Sequence, residues 1–334
     1  MDSLELVHTF TRLLEDLAGT TEVRRIEAGG SVAELWESFE ASGFLDALTP
    51  EAAGGAELTL NDVAPLWEAL GRYLVSVPVA ETMIARALLA RAGMEAPRGP
   101  IVLAPTKNLR SAAIPLARVA NWALVESGER LNLVPLDPVS VAATGVHNSL
   151  AATLSWSTEP AGPSFAPPPG GLRPLGAIVR AAAIAGAADG VLEMTVAYAN
   201  ERVQFAKPIA KQQVIQQQLA VMAQQAVAAR IAAQIGCASG FPPQLAAAAV
   251  AKQIASRAAV RVANMAHAVH GAIGISEEYD LQLFTRRLHE WRQADGSESY
   301  WSECLGRLRL EAPEASSVDF IRAMVSIRSL SVGE

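Results

Sequence analysis

Residues 198–209 read Tyr198-Ala199-Asn200-Glu201-Arg202-Val203-Gln204-Phe205-Ala206-Lys207-Pro208-Ile209, and Gln213 follows four residues later. This stretch separates two long alanine-rich segments. Before it, Leu175 to Arg202 runs without a proline; as a helix that segment would be about 40 Å long at ~1.5 Å per residue. After it, Gln213 to Ala238 places Ile215, Leu219, Met222 and Ala226 on one face at helical spacing. A third segment, Gln244 to His270, repeats the pattern with Val250, Ile254, Ala258, Val262, Met265 and Val269. Three amphipathic helices rich in small residues predict a closely packed bundle. Within the break, an arginine, a glutamine and an aromatic crowd a short polar loop. Two uses are open for it: an inter-helix loop anchored by Phe205, or a ligand contact.

On the C-terminal side, shorter helices are expected near Asp280 to Glu290, Ser297 to Leu308 and Ser317 to Arg328. On the N-terminal side the pattern changes. Residues 100–160 hold short apolar runs (Ile101-Val102-Leu103, Trp122 to Val125, Leu131 to Val134, Leu150 to Trp156) separated by Pro, Gly, Asn and Asp, which is a strand-and-turn pattern. Glu159 to Pro174 is rich in proline and glycine and reads as a linker. The first hundred residues read as helices over Leu4–Leu17, Val32–Ser42, Val63–Val75 and Val79–Ala92, with Asn61-Asp62 offering an N-cap and Thr49 to Gly55 a loop. The fold class is therefore mainly α. It comprises a helical N-terminal domain (residues 1–99), a small central β module with linker (100–174) and a C-terminal long-helix bundle (175–334).

Composition narrows the function. In 334 residues, 51% are hydrophobic and 18% charged, so there is ample core and no general disorder. The net charge of −7 lacks the basic footprint of a nucleic-acid binder. Two cysteines, Cys237 and Cys304, build neither a disulfide framework nor a four-cysteine zinc site. The opening MDSLELVHTF carries acids and reads as neither signal nor transit peptide, and no apolar run predicts a membrane span. A soluble cytoplasmic protein is expected.

Three further places could carry chemistry. His267 and His270 share a helix face, but no further metal ligand lies nearby at suitable spacing. Gly271-Ala272-Ile273-Gly274 follows that helix as a C-cap and tight turn, or as backbone that a flat ligand could approach. Ala294-Asp295-Gly296-Ser297 puts an acid on a loop before a short helix, where Asp295 or Ser297 could serve as N-cap. Phosphate-loop, zinc-protease, nucleophile-elbow and CxxC motifs are absent.

Taken in order, these segments resemble the acyl-CoA dehydrogenase family. Pro50-Glu51-Ala52-Ala53-Gly54-Gly55 with Glu68-Ala69-Leu70-Gly71-Arg72 resembles its PExxGG and ExxGR pair. Residues 198–209 with Gln213 and Leu219-Ala220 resemble its YxxxRxQFGxxI…Q…LA signature. His270-Gly271-Ala272-Ile273-Gly274 with Glu278-Tyr279 resembles its HGGxG…EY element; Arg286-Arg287 and Ala294 to Ser297 fall at its RD and YEGT elements. The resemblance covers roughly residues 20–92 and 175–310.

It implies an oligomeric FAD enzyme that desaturates the α,β bond of an acyl-CoA thioester and passes electrons to an electron-transfer flavoprotein. A carboxylate takes the α proton, and the flavin accepts the β hydride. It further implies that Arg202 meets the FAD pyrophosphate of a neighbouring subunit. Gln204, Phe205 and Gln213 would lie near the adenosine half, and Gly271, Ala272 and Ser297 would touch the same cofactor. Asp295 falls at the family's catalytic glutamate and is the candidate base, one methylene short. The base position used by other members falls at Gly176, and the family's glutamine before HGGxG is Ala268. The TEPxAGSD and WIT segments that wall the flavin ring have no counterpart between residues 100 and 170. Three readings follow: an active acyl-CoA dehydrogenase with Asp295 as base; a non-catalytic subunit of a heteromeric acyl-CoA dehydrogenase; and a flavin-free oligomeric scaffold.

Overall fold

The N-terminal segment folds as α1 (Ser3–Leu17), α2 (Thr20–Glu27), α3 (Ala33–Ser42), α4 (Leu60–Arg72) and α5 (Val79–Arg91). The computed structural model describes residues 3–107, 109–136, 140–160 and 162–324. They group into two compact units, one of residues up to Leu66 with Val75–Val179, the other of Trp67–Leu74 with Arg180–Glu334.

In the first unit, Phe10, Leu14, Val23, Ile26, Phe39 and Leu45 are buried, and Phe10 meets Phe44 edge-on at 4.8 Å. α4 begins one turn earlier than the Asn61-Asp62 reading places it. Thr59 Oγ1 accepts from the Asp62 N–H at 3.2 Å, while Asp62 Oδ2 accepts from the Thr59 N–H at 2.9 Å. The aspartate is thus the third-position acid of a capping box and Thr59 is the cap. α5 is buried around most of its circumference. Thr82 on it accepts a hydrogen bond from the Ile101 N–H at 2.9 Å, tying the helix to the first strand.

The central strands are β1 (Ile101–Pro105), β2 (Arg110–Ile114), β3 (Trp122–Ser127), β4 (Arg130–Pro135), β5 (Ser140–Ala143), β6 (Ala152–Ser155) and β7 (Ser164–Phe165). One sheet has the order β1-β3-β4-β7, with β1 and β3 parallel; the other has the order β2-β6-β5. Val102, Ala104, Val125 and Val134 of the first share a core with Ile114, Ala152 and Leu154 of the second. The stretch read as a linker is partly structured. Ser164–Phe165 pairs with β4, and the next helix starts at Leu172, whose N–H donates to Glu126 Oε2 at 2.8 Å. An edge strand of two residues leaves no periodicity for a sequence to display.

The remaining elements are α6 (Leu172–Glu201), the hairpin β8 (Val203–Gln204) and β9 (Lys207–Pro208), α7 (Gln213–Ala238), α8 (Leu245–His270), α9 (Leu281–Gln293), α10 (Glu298–Glu311) and α11 (Ser317–Met324). Residues 325–328 of the expected last helix lie outside the described residues. Small residues set the packing of the second unit. A Cβ on Gly186 would fall 1.8 Å from the Glu68 carbonyl oxygen, and one on Gly71 2.0 Å from that of Ala183. The last turn of α4 therefore crosses α6 backbone against backbone. By length and composition α6 could span a membrane, but 83% of its most apolar window is buried inside the protein. It is a core helix.

Candidate functional site

Two places collect the residues singled out above. The first lies where α6 ends. The Arg202 N–H still bonds to the Tyr198 carbonyl at 2.8 Å, and the chain then turns through the β8–β9 hairpin. Phe205 and Ala206 form its tip with φ of 53° and 61°. That is the left-handed pair a two-residue hairpin requires, here without a glycine. Phe205 is 88% exposed. Arg202, Gln204 and Lys207 are exposed as well, and among the described residues no side chain pairs with the Arg202 guanidinium. Beneath the hairpin, Ile209 packs with Ala199 and Val269, and Tyr198, Ile215 and Leu219 lie against them. Gln213 opens α7 and is exposed.

The same core holds the end of α8. Gly271 has φ 63° and ψ −139°, a conformation side chains disfavour, with nothing within 4 Å of where a Cβ would be. The glycine is needed for conformation, not for space. Ala272 beside it is exposed. His270 is buried and stacks on Tyr198 with centroids 4.4 Å apart. His270 Nδ1 bonds to the Ala266 carbonyl, while His267 Nε2 lies 2.9 Å from Thr285 Oγ1. The two histidines thus turn to different partners. Burial lowers the pKa of both. The structure therefore brings Arg202, Gln204, Phe205, Gln213, Gly271 and Ala272 around one small core. An unpaired exposed guanidinium, an exposed aromatic, two amide side chains and open glycine backbone fit a pyrophosphate joined to an adenosine.

The second place is the turn between α9 and α10, which holds Asp295 and Ser297. Asp295 Oδ2 accepts from Arg180 Nε at 3.2 Å, and these side chains are 6% and 5% exposed. Lys252 is fully buried alongside. Its ammonium donates to the carbonyls of Arg292 and Gly296, each at 2.8 Å, and to Ser256 Oγ at 3.1 Å. Burial pushes Lys252 down to about 7, and the Asp295 carboxylate acts in the opposite sense. Asp295 has φ 55°, and its carbonyl accepts from Trp301 Nε1 at 3.0 Å. Ser297 is the N-cap of α10, accepting from the Tyr300 N–H. Arg292 and Glu298 close the turn with an ion pair.

Sequence reasoning found the acid and the cap but gave no role to the two cations. Those cations are Arg180 of α6 and Lys252 of α8. The signal for Lys252 was present: a lysine on the alanine-lined face of α8, four residues before Ser256.

Comparison with known proteins adds three findings. Residues 175–307 match the family described as "Acyl-CoA dehydrogenase, C-terminal domain". The chain is 30% identical over 293 residues to "Acyl-CoA dehydrogenase IpdE2" of Mycobacterium tuberculosis, covering 85% of this chain and 90% of that one. Among solved structures, the ChsE4-ChsE5 complex from Mycobacterium tuberculosis superposes with a TM-score of 0.81 at 21% identity, over 94% of this chain and 100% of that one. The Tcur3481-Tcur3483 steroid ACAD does so with a TM-score of 0.80 at 26% identity, over 92% and 98%.

Proposed function

Because the chain belongs to the acyl-CoA dehydrogenase family of oxidoreductases, we propose that it serves FAD-dependent α,β-desaturation of an acyl-CoA thioester as one subunit of a heteromer. In that assembly it grips the adenosine half of FAD, and a partner subunit of the same family supplies the base. The observation that carries this reading is the buried Arg180–Asp295 pair. A general base must come within about 2.6–3.2 Å of its proton and be free to accept it. Asp295 is one methylene short, turned onto a guanidinium and enclosed. Freeing it would cost roughly 3–5 kcal/mol, the usual loss when a buried pair is broken.

The exposed residues carry the positive side of the proposal. When bound, FAD supplies the acceptor for the β hydride. Arg202 would hold its pyrophosphate, and Gln204, Phe205 and Gln213 would lie against the adenosine half. Gly271 and Ala272 present backbone, and Ser297 keeps the start of α10 in place beside the cofactor. The face that would meet the partner is uncharged: Gln217, Ala220, Gln224, Val227, Ile231 and Gln234 recur on exposed or half-exposed α7 at helical-seam spacing. The protein works in the cytoplasm and delivers electrons to an electron-transfer flavoprotein. The steroid relative makes a polycyclic acyl-CoA the first ester to try.

A second reading keeps Asp295 as the base of a homo-oligomer. It is favoured by the position of this carboxylate on a left-handed turn directly before α10. Dye reduction with a panel of acyl-CoA esters decides between the two. The heteromer reading expects the purified chain alone to be inactive on every ester, and activity to appear with a co-expressed family member whether residue 295 is Asp or Asn. Turnover by the chain alone that Asp295→Asn abolishes would establish the second reading. A chain that never retains flavin, alone or with a partner, would leave the scaffold.

A further inference from the structure

Tyr198 and His270 lie 72 residues apart in sequence, and each stands beside one of the two cofactor-facing segments. Tyr198 is one helical turn before Arg202 and accepts its N–H, so a shift of Tyr198 moves Arg202. His270 immediately precedes Gly271, the positive-φ residue that opens the turn Gly271–Ile275. The two residues are joined twice. Their rings stack at 4.4 Å and 23°, and Tyr198 Oη donates to the His270 carbonyl at 3.3 Å.

The histidine ring is itself fixed. Its Nδ1 faces the Ala266 carbonyl at 2.8 Å; a carbonyl only accepts, so the proton sits on Nδ1. Tyr279 leans on both rings, at 5.3 Å from His270 and 6.3 Å from Tyr198. Among the described residues no backbone hydrogen bond runs from the hairpin to the Gly271–Ile275 turn. The link between them is this aromatic cluster and the small core of Ala199, Ile209 and Val269 beneath it.

We infer that Tyr198 and His270 are positioning residues: their stack registers the Arg202 hairpin against the Gly271 turn, so that two separate segments present one surface to the cofactor. The inference rests on the reading that both segments contact FAD. It adds what holds them in register. An aromatic pair of this kind shifts an equilibrium by about two- to tenfold beyond the area it buries, enough to govern a binding surface without governing the fold.

The test is amide hydrogen exchange on the full chain in the assembly in which it purifies, paired with FAD titration followed by flavin fluorescence. Tyr198→Leu should raise exchange about tenfold in both the hairpin (203–208) and the turn (271–276), with exchange in the middle of α8 unchanged. Tyr198→Phe keeps the ring and loses one hydrogen bond, so it should stay within about threefold of wild type in both segments. FAD affinity should fall in the same order. His270→Leu approaches the stack from the other side and should loosen the same two segments; it stands in should Tyr198→Leu fail to fold. Loosening confined to one segment, or Tyr198→Phe as disruptive as Tyr198→Leu, overturns the inference. Arg202→Ala separates the two claims: full FAD affinity in that variant overturns the FAD reading, while the exchange data still judge the strut.

Discussion

The hairpin at Arg202 and the turn at Asp295 are both short connections between helices of one unit, and they treat charge in opposite ways. At the hairpin, Arg202 and Lys207 stand in solvent beside an exposed phenylalanine, and among the described residues no side chain pairs with the guanidinium. At the turn, Asp295, Arg180 and Lys252 are buried, and the donors of the ammonium meet acceptors. An exposed aromatic beside a solvated cation adds little to the stability of its own fold. A buried carboxylate held by a guanidinium and neighboured by an ammonium is already in use. Under the proposed function, that contrast gives binding to one place and structural support to the other.

The largest effect that would test the contrast is on the acid. Asp295→Asn should destabilise the protein by about 3 kcal/mol in urea unfolding, because it removes the carboxylate from its buried pair with Arg180. Asparagine tolerates the left-handed backbone there, so the loss reports charge rather than strain. An unchanged unfolding midpoint together with lost turnover would move the turn from support to catalysis and erase the difference between the two regions.

Next is the pH dependence of Lys252. Its folded value of about 7 lies below the ordinary lysine value of 10.5. Between those values the unfolded chain binds more protons than the folded one, so stability should rise with pH. Below about 7 the penalty of burying the cation is present in full. Wild type should gain on the order of 1–2 kcal/mol over Lys252→Met between pH 7 and 9 in parallel unfolding curves. Parallel curves at every pH would mean that the ammonium keeps its proton throughout and that the turn is held more firmly than argued.

At the hairpin the expected effects on stability are smaller. Ala206→Gly relieves a left-handed alanine at φ 61° and should raise stability by about 1 kcal/mol, read as a rise in melting temperature. Smallest of all, Arg202→Ala should change stability by less than about 0.5 kcal/mol, as exposed substitutions do. It should still weaken retention of FAD, read from the visible spectrum of the purified assembly. A variant that unfolds while keeping its flavin would reverse the assignment of the two regions.

Much of this architecture was legible in the sequence, and the reasons are local. The bundle helices announced themselves because alanine and larger apolar residues recur at helical spacing over more than twenty positions in α7 and α8. Arg202, Phe205 and Gly271 could be picked out because the segments that hold them resemble, in order, motifs of one family. The N-cap at Thr59 was displaced by three residues because the capping acid, Asp62, resembles a cap. The two-residue strand Ser164–Phe165 was hidden in a proline-rich stretch because its order comes from β4.

What the sequence alone determined is the alternation of helix, strand and bundle, and the residue types placed at the two connections. Those follow from periodicity and backbone preference, which act over neighbours. What only the tertiary structure decided is how those residues are used. Arg180, Lys252 and Asp295 sit on α6, α8 and the turn after α9, and their charges interact only once those elements pack and exclude water. Tyr198 and His270 likewise meet only through packing, across a separation in sequence that no local pattern spans. Pairing of charges and stacking of rings depend on distance in space and on burial, and both are set by the fold as a whole.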